Sequence, residues 1–177
     1  TERPLENAMA WFWHDHFANE SVTVKRSQWM YKQNTSFREF AFGSFERLLN
    51  AMHVDPAMLY YLDSRLSTAS KPNENYAREV MELFTLGEGH YTEQDIHEAA
   101  RAFTGWIVEN DLGVMKSSRF DATDKTILGR TDSWWATAVT DILLEHAEAA
   151  QPDIPVSALF LCRKLYRYFV YEEPDET

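Results

Sequence analysis

The stretch from Asn73 to Trp106 leaves the fewest folding options. Tyr76, Val80, Leu83 and Phe84 recur at helical spacing and stop at Gly87, which predicts a helix from about residue 74 to 86. Thr92 then opens a second helix, with Asp95 at its third position as a short-armed capping box and Ile96, Ala99, Ala100 and Phe103 as its buried face. Each helix has one apolar stripe, and each stripe needs a further element to cover it.

The remaining chain offers mostly helices for that purpose. Pro4 with Leu5, Met9, Phe12 and Trp13 predicts a helix over about 3–17, followed by a loop through Asn19 to Thr23. Trp29 to Tyr31 suggest a short helix. Phe37, Phe40, Ala41, Phe45, Leu48 and Leu49 mark a longer one that carries Gly43 inside it. Asp55-Pro56 is an N-cap with proline at the first helical position, ahead of Met58, Leu59 and Leu62, and 64–73 is polar loop. Gly113, Gly129 and short alternations make 105–130 an irregular insert with one or two short strands. Helical periodicity returns at Trp135, Val139, Ile142 and Leu143. After Gln151–Pro155 a last helix, 156–170, is apolar nearly all round, so it is buried or packs on something beyond these residues. The expected class is all-α: a single irregular multi-helix domain over 1–177 with a small irregular or β insert at 105–130.

Charge narrows the partners. Acidic residues outnumber basic ones 28 to 17, a net −11, which repels a phosphate backbone and argues against nucleic acid. The densest basic cluster, Arg163, Lys164 and Arg167, reads as a helix face. No stretch approaches the roughly 20 apolar residues of a membrane span. The one cysteine, Cys162, lies in an apolar run and reads as a small buried hydrophobe.

Three polar constellations carry the chemistry. His14, Asp15 and His16 suit a divalent metal, yet residues two apart on a helix point to nearly opposite sides, so a shared ion requires the helix to end there. The bland alternative is one buried histidine and one exposed. Asn75, Arg78, Glu79 and Glu82 fall at i, i+3, i+4 and i+7 as a single stripe, which is either a solvated face tied by ion pairs or a carboxylate helix facing into a bundle. No Glu has a His three residues on, which weakens a ferritin-like reading. His90 sits between a helix stop and a helix start. Beyond it Asp95, Glu98, Arg101 and Trp106 supply either an ion pair locking two helices or a clamp for a substrate carboxylate. Nucleophile elbows, phosphate loops and dinucleotide fingerprints are absent from the sequence.

These segments, WFWHDHF, DPAMLYYLD, NENYAREVMELFTLGEGHYTEQDIHEAARAFTGW and LFLCRKLYRYFV, together resemble the bacterial domain-of-unknown-function family 1800 in order along nearly the whole chain. The resemblance implies a largely helical fold, a longer full-length chain of which this is the central part, export to the periplasm or beyond, and a co-encoded sulfatase-like partner. It brings no reaction with it. The chain departs from the pattern where Phe120 is followed by Asp121-Ala-Thr-Asp124-Lys125 instead of His-Asp, and where Asp55 replaces a His with His53 close by. Residues 131–154, with Trp134-Trp135, also fit it poorly.

The functional expectation is a ligand- or metal-binding helical domain of an exported protein, with hydrolysis as one option, whose cleft forms where His14 and His16, the Asn75–Glu79–Glu82 stripe and His90 converge. A divalent metal would take His14, His16 and Glu79. The competing expectation is a non-enzymatic structural or assembly module whose polar motifs are buried networks fixing helix register.

Overall fold

A computed structural model describes residues 3–171. Among these the chain is mostly helical: α1 Pro4–His16, α2 Ser21–Val24, α3 Ser27–Glu39, α4 Phe45–His53, α5 Pro56–Tyr61, α6 Glu74–Glu79, α7 Glu93–Ala102, α8 Ala136–Glu145 and α9 Val156–Phe169. The insert is regular, and this loosens the all-α expectation. Two antiparallel hairpins fill it: β1 Trp106–Glu109 with β2 Leu112–Met115, and β3 Lys125–Ile127 with β4 Arg130–Asp132. Each turns on two consecutive residues of positive φ, Asn110-Asp111 and Leu128-Gly129, the backbone twist that two-residue hairpins favour.

Local chemistry sets the boundaries. Asp55 caps α5 by accepting from the Met58 N–H at 2.9 Å. Thr92 and Asp95 cap α7 reciprocally. The helix expected to pass through Gly43 instead breaks, because the Gly43 N–H turns back to Phe40 O at 3.0 Å and Ser44 starts α4 by accepting from the Arg47 N–H at 3.2 Å. The predicted 74–86 helix changes character midway. α6 passes into a π-helical turn over Val80–Thr85, where the buried Thr85 hydroxyl donates to Val80 O at 2.6 Å.

One large core joins Phe12, Trp13 and Phe17 of α1 to Leu48, Leu49 and Met52 of α4, Val80 to Phe84 of the π turn, Ile96 to Phe103 around α7, and Val139 to Leu143 of α8. A satellite cluster of Val24, Trp29 and Ala57 lies under the first hairpin's Val108. α9 is less buried than expected. Only Val156 and Ser157 are fully enclosed, Leu161 and Leu165 pack against the core, and Cys162 lies outward. The cysteine is therefore a surface residue, because the helix turns its Leu161–Leu165 side inward.

Candidate functional site

α1 stays helical through His16, so its two histidines point apart. The Asn34 amide donates to His14 Nε2 at 2.7 Å, and burial, with Arg38 nearby, lowers the His14 pKa. His16 is enclosed by Phe12, Trp13, Phe17, Phe45 and Phe84, and its Nε2–H donates to Phe84 O at 3.1 Å. Burial pushes it down to about 3, which keeps it neutral. Asp15, between them, is exposed. Among the described residues no group of three or more His, Cys, Asp or Glu side chains is close enough to hold a metal ion, so His14, His16 and Glu79 do not assemble as the metal reading required.

The stripe on α6 does not converge on those histidines either. Arg78 grips Glu93 with two bonds of 2.9 and 2.7 Å, joining α6 to the start of α7, with Glu74 at 3.9 Å. Asn75 is exposed, its N–H capped by Asn73 at 3.0 Å. Glu79 is half-buried, and burial followed by the neighbouring Glu82 raises its carboxyl. Glu82 lies in the π turn and accepts from the Tyr91 hydroxyl at 3.2 Å; Tyr91 is pushed up to about 12 by burial and by that carboxylate. None of the polar contacts of these four residues reaches His14, His16 or His90 among the described residues.

α7 turns out to be a strut for the second hairpin. Asp95 Oδ1 accepts the Leu128 N–H at 2.7 Å, and Glu98 Oε2 accepts the Thr126 N–H at 3.1 Å. One turn on, Arg101 donates to Glu98 at 2.6 Å, to Asp121 at 2.8 Å and to the Thr123 hydroxyl. Burial alone would raise the Asp121 carboxyl, but the bonds from Arg101 and Thr123 outweigh it and hold it at about 2. Lys125 closes the network from β3, with 1% of its surface exposed and its ammonium on Thr123 O at 2.7 Å. Both oxygens of Glu98 and both of Asp121 accept hydrogen bonds, so this is a closed, mutually satisfied ion cluster. Trp106, at the head of β1, stands outside it with its indole N–H buried and unpartnered.

His90 is the exception, because it borders open space. A groove of about 460 Å³ lies between the segment after the π turn, the 148–156 stretch and α9. His90 forms one edge and donates from Nδ1 to Glu148 at 2.5 Å. Its apolar lining includes Leu86, Ile154, Leu159 and Phe160, and Arg163, Lys164 and Arg167 line it with cations. Lys164 reaches across to Leu83 O at 3.2 Å; burial lowers its pKa, with Asp15 pulling the other way. Gly87 lets α9 approach, since a Cβ there would stand 3.1 Å from the Phe160 ring, and its φ of +82° suits glycine. A larger, shallower depression of about 570 Å³ near Arg3, Arg38 and Phe42 contains none of the candidate residues.

The family model described as "Protein of unknown function (DUF1800)" matches residues 1–177. The chain belongs to the DUF1800 family. No curated protein and no solved structure matches it. Within this DUF1800 chain, then, the motif-rich segments separate into four environments: an aromatic core around α1, the α6 stripe bonded to Glu93 and Tyr91, an α7–hairpin ion cluster, and the groove beside His90. Reading by sequence missed Asp121, Thr123 and Lys125, whose only signal was the departure after Phe120. It also missed the part Arg163, Lys164 and Arg167 play, because their clustering looks the same whether the face meets water or a groove.

Proposed function

We propose that this DUF1800 chain is a ligand-binding helical domain whose ligand lies in the groove beside His90. The observation that carries the reading is a recess of about 460 Å³ lined by apolar side chains and a few polar groups, the make-up usual for small-molecule sites. The other polar motifs act as its frame. Arg78–Glu93 holds α6 to α7, the Asp95–Glu98–Arg101 strut fixes the second hairpin, and His16 ties α1 to the π turn. Export and a co-encoded sulfatase-like partner belong to the same reading and rest on the family resemblance.

The test is a fluorescence titration with N-phenyl-1-naphthylamine, an uncharged apolar probe. Saturable one-site binding is expected, weakened at least fivefold by Ile154→Glu, which puts a charge on a lining residue that is 44% exposed and so leaves the fold intact by circular dichroism. Binding that is absent, or indifferent to Ile154→Glu, overturns the reading. The closed Arg101 cluster favours a second reading, an assembly module without a ligand, and that outcome is the one it predicts. The divalent-metal reading has its own check in elemental analysis of the purified protein: it requires metal near one equivalent that His14→Ala and Glu79→Ala each remove.

A further inference from the structure

We infer that the groove's ligand is an anionic amphiphile, an apolar body carrying one acidic head group. This rests on the reading of the groove as a ligand site and adds its chemical class. The two halves of the groove differ in kind. Leu86, Val156, Leu159 and Phe160 line the half beside the N-terminal part of α9, whereas Arg163, Lys164 and Arg167 line the other. Phe160, Arg163, Lys164 and Arg167 fall at i, i+3, i+4 and i+7, so one helical face passes from apolar to cationic along the groove. At 1.5 Å per residue, Phe160 and Arg167 are about 10 Å apart along the axis.

Charge points the same way. The chain carries a net −11, and three cations lining one groove stand out against that field. No carboxylate among the described residues lies within ion-pair distance of Arg163 or Arg167; Arg26, Arg38, Arg47 and Arg119 are likewise without one, but Arg163 and Arg167 are the two that line the groove. The acids near the groove are otherwise engaged or distant. Glu148 holds His90, and Asp15 acts on Lys164 from α1 without an ion pair. Lys164 is itself committed through Leu83 O and the face of Phe160, 5.4 Å away, so it marks the border between the two halves. The two arginines present planar forks suited to a carboxylate, sulfonate or phosphate head.

A matched pair of probes tests the class separately from the site. 8-Anilinonaphthalene-1-sulfonate is N-phenyl-1-naphthylamine with a sulfonate added. The sulfonate is expected to bind at least fivefold more tightly than its neutral counterpart. Arg163→Gln/Arg167→Gln, two exposed positions, should erase that preference while leaving neutral-probe binding unchanged, and 0.5 M NaCl should do the same in the parent chain. If the neutral probe binds and the sulfonate binds no better, or the double variant keeps the preference, the class is wrong and the groove remains a ligand site. If neither probe binds, both readings fall.

Discussion

Arg101 and Arg78 are both arginines in ion pairs, yet they do different work, and burial is the reason. Arg101 neutralises two enclosed carboxylates, Glu98 at 8% exposure and Asp121 at 9%, which come from parts of the chain far apart in sequence. Removing the guanidinium leaves two buried carboxylates without their bonded cation and only the Lys125 ammonium nearby to offset them. Arg78 pairs with Glu93 in solvent, where water replaces the lost bonds. Arg101→Met should therefore lower the unfolding free energy by about 3 kcal/mol, whereas Arg78→Met should cost under about 1 kcal/mol. Urea denaturation of the two variants checks this, and equal losses would show that the α7 cluster is not the buried lock described here. Its position in the fold was only half legible. Glu98–Arg101 followed from helical spacing, but Asp121 is 20 residues downstream and its approach depends on how a hairpin folds back, which local periodicity does not encode.

At the scale of elements, what could be read was whatever local chemistry decides. The Thr92–Asp95 box, the Asp55-Pro56 start and the Gly87 stop are properties of neighbouring residues, and they stand where the sequence puts them. The π turn at Val80–Thr85 could not be read, because α and π segments share apolar spacing over a single turn. The metal reading required α1 to end or unwind at His14–His16, and α1 instead stays helical through His16; where the stripe and His90 lie relative to it is set by helix packing, which local periodicity does not encode. The first hairpin depends on a contact equally invisible in sequence. A Cβ at Gly113 would stand 2.1 Å from Val54 O, so β2 lies directly on the backbone at the α4–α5 junction. Neither backbone can yield without moving its element. Gly113→Ala should cost about 2 kcal/mol or more by overpacking and should strip hydrogen-exchange protection from the Ile107–Val114 pairing while leaving α9 unchanged. Unaltered protection in that hairpin would contradict the contact.

Across the whole molecule, the core is held neutral by histidines that cannot charge in place. His53 lies at the meeting of three helices. The Tyr76 hydroxyl of α6 donates to its Nδ1 at 2.6 Å, its Nε2–H donates to Thr140 of α8 at 2.6 Å, and Thr140 donates onward to Asn50 of α4 at 2.8 Å. Burial pushes both His53 and His16 down to about 3, while an unfolded histidine titrates near 6.5. The unfolded chain therefore takes up protons first as the medium acidifies. The stability these two groups contribute is complete above about pH 6.5 and is lost as pH falls toward 3. Asp55 acts in the opposite sense. Burial raises it to about 6 against the bonds from Met58, Gln33 and Ala57, so the folded chain binds that proton more readily, and its contribution grows as pH falls below 6. Between pH 7 and 5 the two histidines remove about 4 kcal/mol and Asp55 returns about 1; His14 and His146, also lowered by burial, add to the loss and Glu79, raised by burial, opposes it, so stability falls over this interval. Urea midpoints at pH 7 and 5 measure it. His53→Gln, whose amide can still donate to Thr140, should cut the pH-dependent part of the loss by about 2 kcal/mol whatever it does to stability at pH 7. Equal midpoints at the two pH values, or a His53→Gln chain with the parent's pH dependence, would mean that the histidines at the helix junctions carry protons in the fold after all.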